Sequence, residues 1–280
     1  MSRPVTIEIE LPDFQYEKPS QGRLAAKDMI DGLRAWRLWS TLGWNDIVQR
    51  YRRSMLGPFW LTASMAIMVL ALGIVYSRLF KTELHDFLPF LCVGLLLWGY
   101  VSATISEAGT LFTGSESYIK QIRLPYSIYA FRFIWSRIII LAHNFIIYFG
   151  VLIYFQFSPG LGVLMAIPAL VLLTFNLTLT SLYLGMVSAR FRDIPQIVGS
   201  VVQIAFFITP VMWKPELLGV DSTIVLLNPF FHLLEIVRAP LLGQSFPAES
   251  YIAVLILTIF NSAIAAAFFT RFRSRISYWI

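Results

Sequence analysis

The stretch F-W-L-T-A-S-M-A-I-M-V-L-A-L-G-I-V-Y-S-R-L, residues 59–79, carries one charge, Arg78, and that at its far end. A helix of about 20 apolar residues crosses the hydrocarbon core of a bilayer, so this segment reads as a membrane span. Working outward, five more stretches of the same kind follow at 88–112, 128–155, 161–187, 197–213 and 251–269. The breaks between them carry charge or turn signals: K-T-E-L-H-D at 81–86, S-P-G at 158–160 and R-F-R-D-I-P at 190–195. Composition agrees. Of 280 residues 57% are hydrophobic and 14% charged, against about 45–50% and 25% in soluble domains. A mean hydropathy of +0.69 is too high to be hidden by folding, because a chain of this size buries only about three quarters of its unfolded surface. The expected fold is an all-α integral membrane protein with six transmembrane helices.

Lys and Arg set the orientation. Sixteen lie on the side of the N-terminus and three, Lys81, Lys214 and Arg238, on the opposite side. Arg78, Arg132 and Arg137 fall within or at the ends of spans. Positive charge collects on cytoplasmic loops, so both termini are expected in the cytoplasm. The net charge of +6 is accounted for by the same bias, and no nucleic-acid partner is inferred. The first twenty residues are polar and acidic (Glu8, Glu10, Asp13, Glu17) and lack a signal-peptide pattern.

Two segments fall outside the six crossings. Before the first span, Trp36, Trp39, Gly43, Trp44, Ile47, Tyr51 and Met55 share one helical face, opposite Arg34, Asn45, Gln49, Arg52 and Arg53. This predicts an amphipathic helix along the inner interface, in contact with membrane lipid; packing of an ordinary helix on a soluble domain is the other reading. The organisation expected is a cytoplasmic segment at 1–32, the interface helix at 33–57 and a transmembrane domain at 58–280. Between the fifth and sixth spans, T-I-V-L-L-N-P-F-F-H-L-L-E-I-V (223–237) is apolar, too short to cross and interrupted by Pro229. It reads as re-entrant helices, or as a surface helix on the outer leaflet.

Motif chemistry is sparse. No Gly is followed by Lys, so no phosphate-binding P-loop is present. H-E-x-x-H and G-x-S-x-G are absent, the histidines at 85, 143 and 232 are scattered, and Cys92 is single. No catalytic or metal site is read. Ionisable groups inside spans carry a functional hypothesis by default, and Glu107 lies at a depth comparable with Arg132 and Arg137. Two readings stand: pairing across helices, or arginines reaching the headgroups with Glu107 solvated. Asn144 and His143, and Asn176, Thr178, Thr180 and Ser181, suit interhelical hydrogen bonds.

Four stretches resemble a known family. R-Y-R-R-S-M-L-G-P-F-W (50–60) enters the first span, and Y-I-K-Q-I-R-L-P (118–125) joins the second and third. F-R-D-I-P-Q-I-V (191–198) runs into F-F-I-T-P-V-M-W-K-P-E (206–216), and N-P-F-F-H-L-L-E-I-V-R-A-P-L-L-G (228–243) follows. In this order they resemble the permease subunits of type 2 ABC exporters that carry lipid-linked polysaccharide across the bacterial inner membrane. The likeness covers roughly 36–280.

The resemblance implies a homodimer over two copies of a separate P-loop ATPase, which would hold the ATP and magnesium; no cofactor is expected on this chain. The interface helix, with Trp36, Trp39, Trp44, Tyr51, Arg52 and Arg53, would touch the ATPase. Ser117, Tyr118, Lys120, Gln121 and Arg123, with Arg190, Arg192 and Asp193, would form the coupling elements, although solvated loop charges look the same in sequence. The polymer would pass between the subunits, and Tyr76, Phe80, Trp98, Phe206, Phe207 and Trp213 are candidates to offer sugars a sliding aromatic surface, or to serve as belt and packing residues. O-antigen is the first cargo, with capsule or teichoic-acid polymer as alternatives. An integral-membrane enzyme on polyprenyl-linked sugars, a passive channel and a small-drug exporter are the rivals.

Overall fold

A computed structural model of the chain describes residues 20–52, 59–218 and 223–280. Arg53 and the segment 1–19 lie outside the described residues. Secondary structure among the described residues is helical throughout. Helix α1, Gln21–Arg34, starts at Ser20, whose hydroxyl accepts the Arg23 N–H at 3.3 Å, a common N-terminal cap. Helix α2, Trp36–Tyr51, follows after the single residue Ala35.

Helices α3 (Phe59–Leu79) and α4 (Leu84–Glu107) come next. The short helices α5 (Thr110–Thr113) and α6 (Glu116–Gln121) then lead to α7 (Ser127–Tyr154). A 3-10 turn at Leu161–Met165 precedes α8 (Ala166–Arg190), and α9 is Ile194–Ile208. The chain continues through α10 (Thr223–Leu226), α11 (Pro229–Leu241), α12 (Ala248–Phe272) and α13 (Ile276–Trp279).

Five segments, containing α3, α4, α7, α8 and α12, are long and apolar enough to cross a membrane. Helix α9, where a fifth crossing is expected over 197–213, has 15 residues and at 1.5 Å per residue spans about 22 Å, short of the ~30 Å core. It stops because Pro210 follows. The residue before a proline is driven out of the helical region, and Thr209 is extended, φ −83° and ψ 134°. The second span ends at Glu107 rather than 112, the remainder folding into α5.

Helix α4 is the axis of the bundle. Its residues from Phe87 through Trp98 are all buried, and it packs against α3, α7, α8, α9 and α11. By contrast α3 buries only Thr62, Val69, Gly73 and Ser77, and α9 only Val202. Their remaining faces are half-buried or exposed.

Polar bonds lock the apolar helices together, as interhelical bonds do in lipid. Asn176 Nδ2 donates to Thr258 Oγ1 at 2.8 Å, and Asn261 Nδ2 donates to the Asn176 carbonyl at 3.0 Å and lies 3.1 Å from Thr180 Oγ1. Tyr100 donates to Thr174 at 3.1 Å. Thr178 and His143 bond instead to carbonyls of their own helices.

The helix expected at the interface corresponds to α2, and a separate helix, α1, precedes it, starting within the expected cytoplasmic segment. Gly43 and Ile47 of α2 are buried against α7, whereas Trp36, Leu38, Trp44 and Val48 are exposed. Trp39 turns inward, its ring centroid 5.9 Å from those of both Phe131 and Trp135. The close approach requires a glycine: a Cβ on Gly43 would stand 2.8 Å from the Arg132 carbonyl.

Candidate functional site

One end of the bundle gathers most of the charge. There α4 finishes, α5 and α6 turn the chain, and α7 begins. Glu116 and Lys120 of α6 sit one helical turn apart, and Lys120 Nζ donates to Glu116 Oε1 at 2.7 Å. The Lys120 ammonium, with Arg192 adding to it, holds the Glu116 carboxyl below the usual carboxylate range. Ser117, Tyr118, Lys120, Gln121 and Arg123 are all exposed, as are Arg190, Arg192 and Asp193 at the turn between α8 and α9.

The two turns are neighbours despite the distance between them in sequence. A Cβ on Gly109, just before α5, would come 2.6 Å from the Pro195 ring at the start of α9. Arg190 also lies over the Trp279 ring of α13, 5.6 Å from its centroid. Arg192 also acts on the charge of Glu116 in α6, so exposed coupling candidates from two separate motifs share the surface at one end of the bundle.

That surface is braced from behind by Asp28. Its Oδ2 accepts the Tyr126 N–H at 3.1 Å and its Oδ1 the Ser127 N–H at 3.0 Å. A carboxylate from α1 therefore caps the orphan amides at the start of α7. Arg273 Nη1 donates to the same carboxylate at 3.1 Å. A small apolar cluster surrounds the junction, with Ala25, Phe112, Tyr129, Met186, Phe269 and Ile276 among its members.

The charges read as lying within the spans resolve into two pairs. Arg137, 6% exposed, donates through Nη1 to Glu107 Oε1 at 2.9 Å and through Nη2 to Oε2. Arg132 does not meet Glu107. Its Nε and Nη2 donate to Asp46 of α2 at 2.7 and 2.5 Å. Arg50 Nη2 stands 3.6 Å from Glu107 on the exposed side. These groups line a cavity of about 480 Å³ between α2, α4, α5 and α7, together with Gln49, Tyr129 and Ser136. Asp46 and Arg50 escaped the sequence reading. The signal available was one acid, Asp46, among the arginines of an otherwise basic helix.

The aromatic candidates divide. Trp98 is 7% exposed, its ring 5.6 Å from Phe206 and 5.7 Å from Phe230, centroid to centroid. Tyr76 packs on Phe80 in a tilted pair, ring centroids 5.6 Å apart, both half-buried. Phe207 is 64% exposed, and Trp213 Nε1 donates to its carbonyl at 3.4 Å.

Near this aromatic group lies a second feature missing from the sequence reading, which counts Arg238 as an outer-loop charge. Arg238 is 1% exposed within α11. It donates twice to Glu235, at 2.9 and 2.5 Å, and once to the Pro210 carbonyl at 2.6 Å, with its guanidinium 4.5 Å from the Phe90 ring centroid. One side chain thereby ties the 210 turn, α11 and the axial helix together. Among the described residues no group of three His, Cys, Asp or Glu stands close enough to hold a metal.

Residues 37–242 match a family described as ABC-2 type transporter. The O-antigen export system permease protein RfbA of Myxococcus xanthus is 23% identical over 223 residues, 76% of this chain and 84% of that protein. The protein of the same name from Klebsiella pneumoniae is 22% identical over 240 residues, 82% of this chain and 90% of that protein. The family match takes in α2 to α11; α1, which carries Asp28, and the segment that carries Arg273 flank it.

Proposed function

The chain belongs to the ABC-2 type transporter family, and from that premise we propose that it is the membrane subunit of an ATP-driven exporter of a lipid-linked polysaccharide, O-antigen first. The observation that carries the reading is the exposure of α6 and of the 190–193 turn at the same end of the bundle, where Arg192 acts on the charge of Glu116. Short turns joined rigidly to long helices pass the movement of a docked partner into helix tilt, and a chain without a P-loop requires such a partner for energy. Two copies of an ATPase subunit dock there, binding the nucleotide and magnesium.

The cargo is inferred from the two O-antigen export permeases matched along most of the chain. Two copies of the chain meet across α3 and α9, the helices least covered within the protomer, and the polymer passes between them. Phe207 and the half-buried Tyr76, Phe80 and Phe206 offer sugar C–H faces a surface without fixing any one residue of a repeating chain. Helix α9 with the irregular segment after it completes six crossings. Backbone of that kind survives at membrane depth when it is buried in protein or lines a cavity, and α10 and α11 fit a re-entrant mouth. Helix α2 lies at the inner interface, and both termini face the cytoplasm of a bacterial inner membrane.

The test is ATP hydrolysis by the chain copurified with its cytosolic partner in lipid vesicles, with and without undecaprenyl-linked glycan. Stimulation by the glycan supports the reading. Absence of any ATPase, together with turnover of the lipid-linked sugar by the chain alone, overturns it.

A further inference from the structure

The last helix touches both segments proposed to receive the ATPase. Helix α13 packs against α6 and against α8, whose end leads into the 190–193 turn. Three contacts hold it. Ile276 is fully buried in the small apolar cluster at the Asp28 junction. The Trp279 ring meets Phe272, 5.7 Å between centroids, and carries the Arg190 guanidinium at 5.6 Å. Arg273, just before α13, donates to Asp28 at 3.1 Å.

With Ile276 and Trp279 turned inward, Ser277 and Tyr278 are left outside. Tyr278 is 87% exposed, more than any other aromatic residue among those described. Ser277 lines a groove of about 420 Å³ whose other wall comes mainly from α6 and the turn after it, with Ile119, Ile122, Leu124, Lys120 and Arg123 among its residues. Among the described residues no carboxylate lines this groove. Nor does Arg123, or the exposed Arg275 next to α13, have an ion-pair partner among them.

An exposed tyrosine at headgroup depth belongs to an aromatic belt. On an aqueous surface, a ring beside apolar side chains with a charged rim is the anatomy of a protein contact. Position favours the second, because arginines at 271, 273 and 275 carry the chain out of the hydrocarbon before α13 begins. Charge then sets the chemistry of the partner. Uncompensated cations around apolar side chains are complemented by carboxylates around an apolar one.

We propose that α13 is a docking element for the ATPase subunit, additional to the two turns. Tyr278 is its contact residue, and the groove beside it takes a segment of the ATPase that presents an apolar side chain flanked by carboxylates. The identity of the partner rests on the function proposed above.

The test places the full-length chain in phosphatidylcholine nanodiscs and uses as probe the P-loop subunit that copurifies with the wild type, with affinity read by biolayer interferometry. Tyr278→Ala is expected to bind that subunit about tenfold more weakly, as loss of one interface anchor predicts. Its unfolding midpoint stays unchanged, since the ring touches little of its own chain. Arg275→Glu slows association and flattens its dependence on salt. Tyr154→Ala, which removes an exposed ring at the far end of α7, binds as the wild type does. Wild-type affinity in both Tyr278→Ala and Arg275→Glu overturns the docking element and leaves the ATPase-driven function standing. A midpoint lowered by Tyr278→Ala with affinity unchanged assigns the ring to the lipid surface and likewise overturns it. If no P-loop subunit accompanies the wild type, the function proposed above fails, and the assignment of this partner fails with it.

Discussion

Arg273 donates to Asp28 at 3.1 Å across 245 residues of chain, and the same carboxylate caps the first amides of α7. The two residues flank the matched family region at opposite ends, yet meet behind the surface proposed to receive the ATPase. Replacing Asp28 with Asn keeps the shape and removes the charge that both Arg273 and the amides of Tyr126 and Ser127 require. The variant is expected to lose about 1–3 kcal/mol of stability, read as a lower midpoint in detergent unfolding. Because the cap sits immediately after the 118–125 turn, glycan-stimulated ATP hydrolysis in the assembled complex falls further than basal hydrolysis.

Glu107 and Arg137 form a pair in which the arginine is buried and the carboxylate half exposed. Glu107→Gln leaves a guanidinium in the bundle without its counter-charge and is expected to cost about 3 kcal/mol. A double-mutant cycle measured by unfolding separates the two arginines: Glu107 couples to Arg137 by about 1–3 kcal/mol and to Arg132 by much less. Equal coupling to both would contradict the pairing described.

Arg238 stands between Glu235, the Pro210 carbonyl and the Phe90 ring. Arg238→Lys cannot reproduce the fork that meets all three, and Arg238→Met strands Glu235. Both are expected to lower the unfolding midpoint, the second by about 3 kcal/mol or more. The double substitution Glu235→Gln with Arg238→Met recovers part of that loss, since replacing both members of a buried pair is milder than removing one.

Trp98 and Phe207 are both aromatic candidates for the polymer, and their burial separates what each should do. Trp98→Ala empties a packed position against Phe206 and Phe230 and is expected to cost about 3–5 kcal/mol. Phe207→Ala removes an exposed ring and changes stability by no more than about 0.5 kcal/mol. If Phe207 contacts the polymer, its variant lowers export of the glycan in cells while the amount of folded protein stays constant.

The spans were legible where one apolar run meets one break. Helix α3 ends at residue 79 as hydropathy places it, because a charge and a lysine-bearing turn close it. The fifth apolar stretch runs past the end of its helix, since a hydropathy window passes through Thr209 and Pro210 without registering that the backbone must leave the helix there. Paired charges were legible only as types. Glu107, Arg132 and Arg137 stand out by their depth, but the partner of Arg132 is Asp46 on a helix read as lying on lipid, and no spacing rule connects positions 86 residues apart. The approach of the turn before α5 to the start of α9 is hidden for the same reason. Its clue is Gly109, a residue whose need becomes visible only when Pro195 stands against it.

The proposed export of a lipid-linked glycan requires the chain to harness a separate ATPase. The most direct measurement copurifies the chain with its cytosolic partner, reconstitutes the complex in lipid vesicles and follows ATP hydrolysis as undecaprenyl-linked glycan is added. A P-loop subunit is expected to accompany the chain, and hydrolysis is expected to rise with glycan. A chain that purifies without any ATPase and by itself cleaves or transfers the lipid-linked sugar would contradict it.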